Sequence, residues 1–523
     1  MTNGKEGDEM GNALPLTLAA RLAAQADGLG DKCFFHYGGA AHSYAGVAER
    51  AGRVAAGLQA LGLGKGDRVA TYLPNGLPLV ESYFALAALG AGAVLLNPQL
   101  TPREIGYILG DSGATGIITH ASLLPNVRAV QSSLPALRTV VVAGGSAGDG
   151  AVAFEGLGQE MGPLGEQGVD PEDEAWLAYT SGTTGKPKGA ILTHRNLLWT
   201  ADVTALTVGF QPDDVILCPI PLFHLFALGA CFLEILTVGA TTVIHDRFSP
   251  EGVLDGIGRH RVTIYPGVPT MYAYLLNSPA LAGADTGSLR FGITGGAIMP
   301  QKLIEETEAK LKIQVLNMYG ITETASWVSC VHHTVRQPFG SVGKALPGLT
   351  VRVVDREDRD VPMGEIGEII VRGPNVMRGY NNLPEATAEA TRGGFYHTGD
   401  LGTLDGDGFL YVLDRLKDMI ISGGYNIYPK EVEDVLYAHP AVLEAAVVGV
   451  PHEAKGEVPR AYVVLKEGAS ATADEVQAYL RGQLAAYKLP ASVEFIQAIP
   501  KTGSGKIRRV ELREKARPAG RRG

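Results

Sequence analysis

Tyr179-Thr180-Ser181-Gly182-Thr183-Thr184-Gly185-Lys186-Pro187-Lys188-Gly189 follows directly on the apolar run formed by residues 175–178. That run predicts a strand, and the residues after it are too rich in glycine to hold a regular element. Glycine lets backbone N–H groups approach an anion, hydroxyls donate further hydrogen bonds, and lysine adds charge, so the stretch reads as a phosphate cradle. It is not a Walker A loop, because Gly182 leads into Gly185-Lys186-Pro187 and the Gly-x4-Gly-Lys-Ser/Thr spacing is missing. A plain surface loop would account for the glycines and hydroxyls. It would not account for two lysines flanking a proline.

Working outward from this loop, strand and helix signals alternate. Upstream, residues 16–63 carry helical spacing, 68–73 a strand, 78–89 a helix, and 93–96, 114–119 and 138–142 further short strands. Residues 144–168 read as a glycine-rich surface loop. Downstream, Thr193 suits the cap of a helix through Leu206, and Ser249-Pro250 opens another. Helices at 225–238 and 299–312 separate strands at 214–219, 240–245, 262–265, 289–294 and 313–317. Such alternation predicts an α/β fold with two doubly wound sheets covered on both faces.

From Gly340 the texture changes. Residues 349–354 and 365–371 alternate polar and apolar around turns, which predicts a small antiparallel, barrel-like sheet. Beyond Asp414, helices at 429–438 and 473–484 with strands at 443–450, 460–466 and 492–495 make a compact α+β unit. The expected organisation is a large N-terminal domain over 1–414, a hinge over 415–419 and a mobile C-terminal domain over 420–523. The last nine residues read as a frayed basic tail.

Bulk properties narrow the function classes. At 523 residues the chain is too long for one core, and 46% hydrophobic with 19% charged residues is a globular balance. A net charge of -10 argues against a nucleic-acid partner. Cys33, Cys218, Cys231 and Cys330 are scattered without a C-x-x-C pair, so a reducing cytoplasm is the expected compartment. The uncharged stretches 82–102 and 215–233 are broken by proline, glycine and polar residues, so neither reads as a transmembrane span.

The 179–189 stretch resembles the phosphate-binding signature of the adenylate-forming superfamily, which holds acyl-CoA and aryl-CoA ligases, peptide-synthetase adenylation domains and luciferases. Four further stretches match that family's signatures in order. Tyr319-Gly320-Ile321-Thr322-Glu323 follows a strand where doubly wound sheets bind ligands, and a glutamate and a threonine there suit magnesium held on phosphate. Tyr396-His397-Thr398-Gly399-Asp400 puts a carboxylate at a tight turn, suited to both hydroxyls of a ribose diol. Asp414-Arg415-Leu416-Lys417-Asp418 stands at the expected domain boundary, and residues 500–509 form a basic glycine loop.

The resemblance implies a role for each matching position. Thr180, Ser181, Gly182, Thr183, Thr184 and Lys188 would cradle phosphate, and Thr184 and Glu323 would hold magnesium. Gly295, Gly296 and Ala297, with Asn317, Tyr319, Gly320 and Thr322, would line the adenine and acyl pockets, with Tyr319 stacked on the base. Asp400 and Arg415 would hold the ribose, and His224 would stand near the acyl carboxylate. Lys506 would bridge that carboxylate and the α-phosphate, and Lys417 would be the pivot. In a second state Gly423, Gly424 and Asn426 would meet coenzyme A. The implied cofactors are ATP, magnesium and coenzyme A, and the implied partner is a small carboxylic acid, with monomer and homodimer both open.

The expected reaction is attack of a carboxylate on the α-phosphate of ATP, release of pyrophosphate, and displacement of AMP by the thiol of coenzyme A. Phe223, Phe226, Leu228, Trp327 and Val328 point to a fatty or similarly apolar acid, with an aryl or phenylpropanoid acid as the alternative. Loading of a separate carrier protein is a further alternative within the same chemistry.

Overall fold

The computed structural model describes residues 16–159, 167–180, 186–453, 455–502 and 507–516. The first sheet has eight strands in the order Gly379–Tyr380, Lys188–Thr193, Glu174–Thr180, Gly92–Leu95, Arg68–Tyr72, Gly116–His120, Thr139–Ala143, Val152–Ala153. Its members are parallel except where Lys188–Thr193 turns back along Glu174–Thr180 and then accepts Gly379–Tyr380. The second sheet runs Gln314–Asn317, Phe291–Thr294, Ile264–Gly267, Val215–Cys218, Thr241–Ile244, Cys33–Tyr37, Ala40–Ser43. Gly92–Leu95, Thr241–Ile244 and Phe291–Thr294 are buried at every position, as parallel strands covered on both faces must be.

The largest core lies between these sheets. Helix Leu77–Leu89 is buried almost all round, and Phe84 packs 5.1 Å from Phe232 while Tyr83 packs 5.5 Å from Trp176. The expected helix over 225–238 is three pieces: an α-helical Leu225–Leu228, a π-helical Gly229–Leu233 and an α-helical Glu234–Val238. A π-turn inserts one extra residue and swings the side chains that follow it, which is why such turns gather at functional sites.

Three expectations change. Residues 16–63 are not helical throughout: helix Leu18–Leu29 is followed by the hairpin Cys33–Tyr37 and Ala40–Ser43, then helix Tyr44–Ala60. Gly38 (φ 61°) and Gly39 (φ 82°) form the two-residue turn, and Cys33–Tyr37 then joins Thr241–Ile244 in parallel. Asp400 is not in a tight turn but within the nine-residue strand Tyr396–Leu404, where Gly399 (φ 69°) and a register shift bend the chain. Of the tail expected over 515–523, Lys515 and Ala516 close helix Arg509–Ala516 and Lys515 pairs with Glu494 at 2.8 Å, while 517–523 lie outside the described residues.

Thr350–Val354, Gly367–Arg372, Tyr396–Leu404 and Leu410–Arg415 form a four-stranded antiparallel sheet. The next sheet has five strands and begins at Ile420–Ser422, so residues 416–419 connect the two. Among the described residues, the five-stranded sheet and its helices have their own apolar clusters, none of which extends into the preceding chain. Polar contacts tie the two parts. Lys430 N donates to Asp414 Oδ2 at 3.1 Å and Lys302 Nζ to the Ala438 carbonyl at 3.3 Å, while Lys501 Nζ lies 5.9 Å from the centre of the Tyr274 ring.

Thr193 caps helix His194–Val208 as expected, and His194 is buried beneath it with Nδ1 accepting from Leu18 N at 3.3 Å. Burial lowers the His194 imidazole from the ordinary 6.5 to about 4, Asp173 opposing the shift. The unfolded chain therefore takes up this proton first as pH falls, and stability present above pH 6.5 drains away between 6.5 and 4. The loss expected from this group is on the order of 3 kcal/mol. Thermal midpoints from pH 7.5 to 4.5 should fall less steeply in His194→Asn than in the wild type. Parallel curves would show that the slope comes from other groups.

Candidate active site

The 179–189 stretch closes a β-hairpin. Thr180 pairs with Lys188 across it, and the Thr180 hydroxyl lies 3.4 Å from the Lys188 carbonyl. Lys186 stands 5.6 Å from the centre of the Tyr107 ring and Lys188 5.0 Å from that of Tyr380. Ser181, Gly182, Thr183, Thr184 and Gly185 lie outside the described residues, as does Lys506. Both flanks of the hairpin are held at the edge where the Glu174–Thr180 strand ends.

The parallel neighbours Phe291–Thr294 and Gln314–Asn317 end level with each other, and each releases a glycine loop beyond its carboxyl end. Gly296 is left-handed (φ 77°), and a methyl group on Gly295 would lie 3.2 Å from the Trp327 ring. Gly320 admits no side chain at all, since its Cβ would fall 1.6 Å from the Ser326 carbonyl oxygen. This close crossing lets the chain double back through Ala325 (φ 50°) and Ser326 (φ 95°) between Glu323 and Trp327. Asn317 is drawn elsewhere: its amide donates to the Ser341 carbonyl at 3.1 Å and its backbone N–H to Gln337 at 3.1 Å.

Tyr319, just beyond the strand Gln314–Asn317, meets Asp400 of the strand Tyr396–Leu404. The Tyr319 hydroxyl donates to Asp400 Oδ2 at 2.6 Å, and Arg415, opposite on the neighbouring strand, places Nε 3.3 Å from Oδ1. Thr398 Oγ1 accepts the Asp400 backbone N–H at 3.0 Å. Burial and the adjoining carboxylate push the Tyr319 phenol well up, so it stays a donor, and Asp400 raises the Arg415 guanidinium. The result is a buried carboxylate held by two donors.

Glu323 follows Thr322 in a single 3-10 turn and is buried, with Oε1 accepting from the Tyr380 hydroxyl at 3.0 Å. No hydrogen bond among the described residues takes its Oε2. One buried carboxylate of hard oxygen donors fits magnesium carried on phosphate, which keeps few protein ligands. No group of three or more potential ligands for a metal ion occurs among the described residues.

His224 caps the Leu225–Leu228 helix, Nδ1 accepting from Phe226 N at 3.2 Å. Phe226 packs edge-on to Trp327 at 5.4 Å, and the indole N–H donates to Glu234 Oε1 at 2.9 Å. Burial pushes the Glu234 carboxyl up to about 8, so near neutrality it is mostly uncharged. Glu234 and Tyr380 are two residues that motif reading missed. The signal for Glu234 was present, as the lone charge in 225–238. Tyr380 had no such local mark.

Lys417 lies in the connection after Arg415, whose carbonyl accepts from Asp418 N at 2.9 Å. Gly423, Gly424 and Asn426 are exposed on the hairpin Ile420–Ser422 and Tyr425–Ile427, where Tyr425 stacks on Tyr487 at 4.7 Å. They belong to the five-stranded sheet. They are not gathered with Asp400 and Glu323 in this arrangement.

Comparison with known proteins adds the following. A family model described as AMP-binding enzyme matches residues 22–381, and one described as AMP-binding enzyme C-terminal domain matches 431–506. A feruloyl-CoA synthase of Amycolatopsis is 42% identical over 480 residues, 92% of this chain and 95% of that protein. A long-chain-fatty-acid–CoA ligase of Bacillus subtilis is 34% identical, covering 97% of this chain and 96% of its own. The crystal structure of an anthranilate CoA ligase in complex with anthranoyl-AMP superposes with a TM-score of 0.92 at 30% identity, covering 98% of each chain. No helix of the described residues is long and apolar enough to cross a membrane.

Proposed function

The chain belongs to the AMP-binding enzyme family and is an AMP-forming acid–CoA ligase; from that premise we propose that its acid is apolar and that the residues above divide the work as follows. Asp400 and Arg415 take the ribose of ATP, with Tyr319 against the base and Gly295-Gly296 along its edge. Ser181 to Thr184, with Thr180 and Lys188, cradle the phosphates. Magnesium, held by Glu323 and Thr184, supplies charge neutralisation on the phosphate oxygens when bound. The buried Asp400, fixed by Tyr319 and Arg415, is the observation that carries this reading.

In the first half-reaction the acid's oxygen attacks the α-phosphorus and pyrophosphate leaves. Lys506 neutralises the charge that gathers between the two anions. The small unit must then move before a thiol can enter, with residues 415–419 as hinge and Lys417 as pivot. Gly423, Gly424 and Asn426, exposed here, are proposed to reach the acyl carbon in that second arrangement. Free Cys33, Cys218, Cys231 and Cys330 support the cytoplasm as the compartment.

The acid pocket is proposed to lie between His224, Phe226, Trp327 and the 295–297 loop. With Glu234 mostly uncharged behind Trp327, none of the residues named here is a lysine or arginine that would select a second carboxylate. A fatty acid fits this wall. The 42% identity to a feruloyl-CoA synthase favours, as a second reading, an arylpropenoic acid. Exchange of labelled pyrophosphate into ATP, across fatty, cinnamic and benzoic acids, tests the proposal. We expect exchange with at least one apolar acid and CoA-dependent thioester formation with the same acid. No exchange with any acid, in the presence of magnesium, would overturn it.

A further inference from the structure

Tyr380 stands at a junction the assignments above leave unused. Its hydroxyl donates to Glu323 Oε1 at 3.0 Å and lies 3.2 Å from the Tyr396 hydroxyl. The face of the same ring receives the Lys188 ammonium, 5.0 Å from its centre. One side chain thus touches both the expected metal ligand and a lysine of the phosphate loop.

The backbone beneath it is pinned. Gly379–Tyr380 pairs antiparallel with Lys188–Thr193, Tyr380 opposite Ala190. Tyr380 N donates to Thr387 Oγ1 at 2.9 Å, and Asn381 N to the Gly189 carbonyl at 2.7 Å. Asn381 is itself held by Arg68 at 2.8 Å and by the Asp111 carbonyl at 2.9 Å. These contacts fix where the ring leaves the backbone.

Building on the acid–CoA ligase reading, we propose that Tyr380 is a positioning residue for the triphosphate end of magnesium-bound ATP. Its hydroxyl engages Oε1 of Glu323 and leaves Oε2 for the metal, while its ring holds the Lys188 ammonium ready for phosphate. A phenol is an uncharged donor near neutrality, so it orients the carboxylate without adding charge that would compete with the metal. A carboxylate so fixed does not have to be ordered at the moment of binding. The electron-rich face of the ring steadies a cation in the same way.

A residue that merely packs would, when cut back, weaken every nucleotide alike. Positioning weakens only what carries metal and terminal phosphates. Calorimetric titration of the full chain with magnesium-ATP, metal-free ATP and AMP, with no acid present, separates the two. Removing a hydrogen-bond partner of a metal ligand typically costs about tenfold or more in affinity, so Tyr380→Phe should raise the Kd for magnesium-ATP about tenfold and that for AMP less than about twofold. Tyr380→Leu, which also loses the ring, should weaken metal-free ATP as well. Tyr396→Phe, which removes the partner of the Tyr380 hydroxyl, should show the same selectivity at about threefold, a fraction of the loss expected for a direct partner. Equal loss for AMP and magnesium-ATP, or unchanged magnesium-ATP binding in both phenylalanine variants, overturns the proposal. A wild-type protein that binds no magnesium-ATP would instead sink the ligase reading itself.

Discussion

Lys506→Ala should lose acyl-adenylate formation by roughly 10²–10³-fold, the cost of deleting one electrostatic contact to a developing charge, while thiolysis of a supplied acyl-adenylate continues near the wild-type rate. The asymmetry follows from the charges. In the first half-reaction an anionic carboxylate approaches a polyanionic phosphate, and a lysine between them lowers the repulsion. In the second, a thiol attacks the electrophilic acyl carbon of the mixed anhydride, forming the C–S bond as the C–O bond to AMP breaks and AMP leaves with its phosphate charge, and that lysine must be elsewhere. The described flanks of its loop reach the preceding unit at Lys501. Lys501 and Ile507 form a β-bridge, Lys501 pairs with Glu444 at 2.5 Å, and the ammonium lies over Tyr274 of the preceding unit. Stopped-flow measurement of each half-reaction checks this, and equal loss in both would refute the division.

Asp400→Asn should raise the KM for ATP by about a hundredfold, since hydrogen bonds to a charged group are worth roughly 1.5–3 kcal/mol each and two would be affected. The amide keeps the shape but offers one acceptor where the carboxylate offers two, and it leaves Arg415 without its counter-charge. Unlike loss of Lys506, this change should slow both half-reactions, because the acyl-adenylate carries the same ribose as ATP. Steady-state kinetics with varied ATP, run beside thiolysis of supplied adenylate, distinguishes the two variants. An unchanged KM for ATP would remove Asp400 from the nucleotide site.

Much of this site was legible in the residues because its parts are local. A glycine loop after an apolar run, at Gly295 or Gly320, carries its own mark of a strand end and a close approach. What sequence reading missed depends on partners far along the chain. Cys33–Tyr37 is a strand because Thr241–Ile244 receives it, although Gly38-Gly39 was a readable turn. Asp400 was expected in a turn on the strength of Gly399, yet pairing with Arg415 on Leu410–Arg415 draws it into a strand. Tyr380 acquires its place only by pairing with Ala190. Nothing within a few residues of it announces Glu323 or Lys188.

That no apolar cluster among the described residues spans the five-stranded unit and the chain before it bears on how the enzyme could cycle. Separating two oily faces exposes them to water, a penalty that grows with area. Here the small unit would exchange a few hydrogen bonds, such as those of Asp414 and Lys302, for equivalent ones with solvent. The proposed reorientation would then expose little apolar surface, leaving bound substrate and product to tip the balance in either direction.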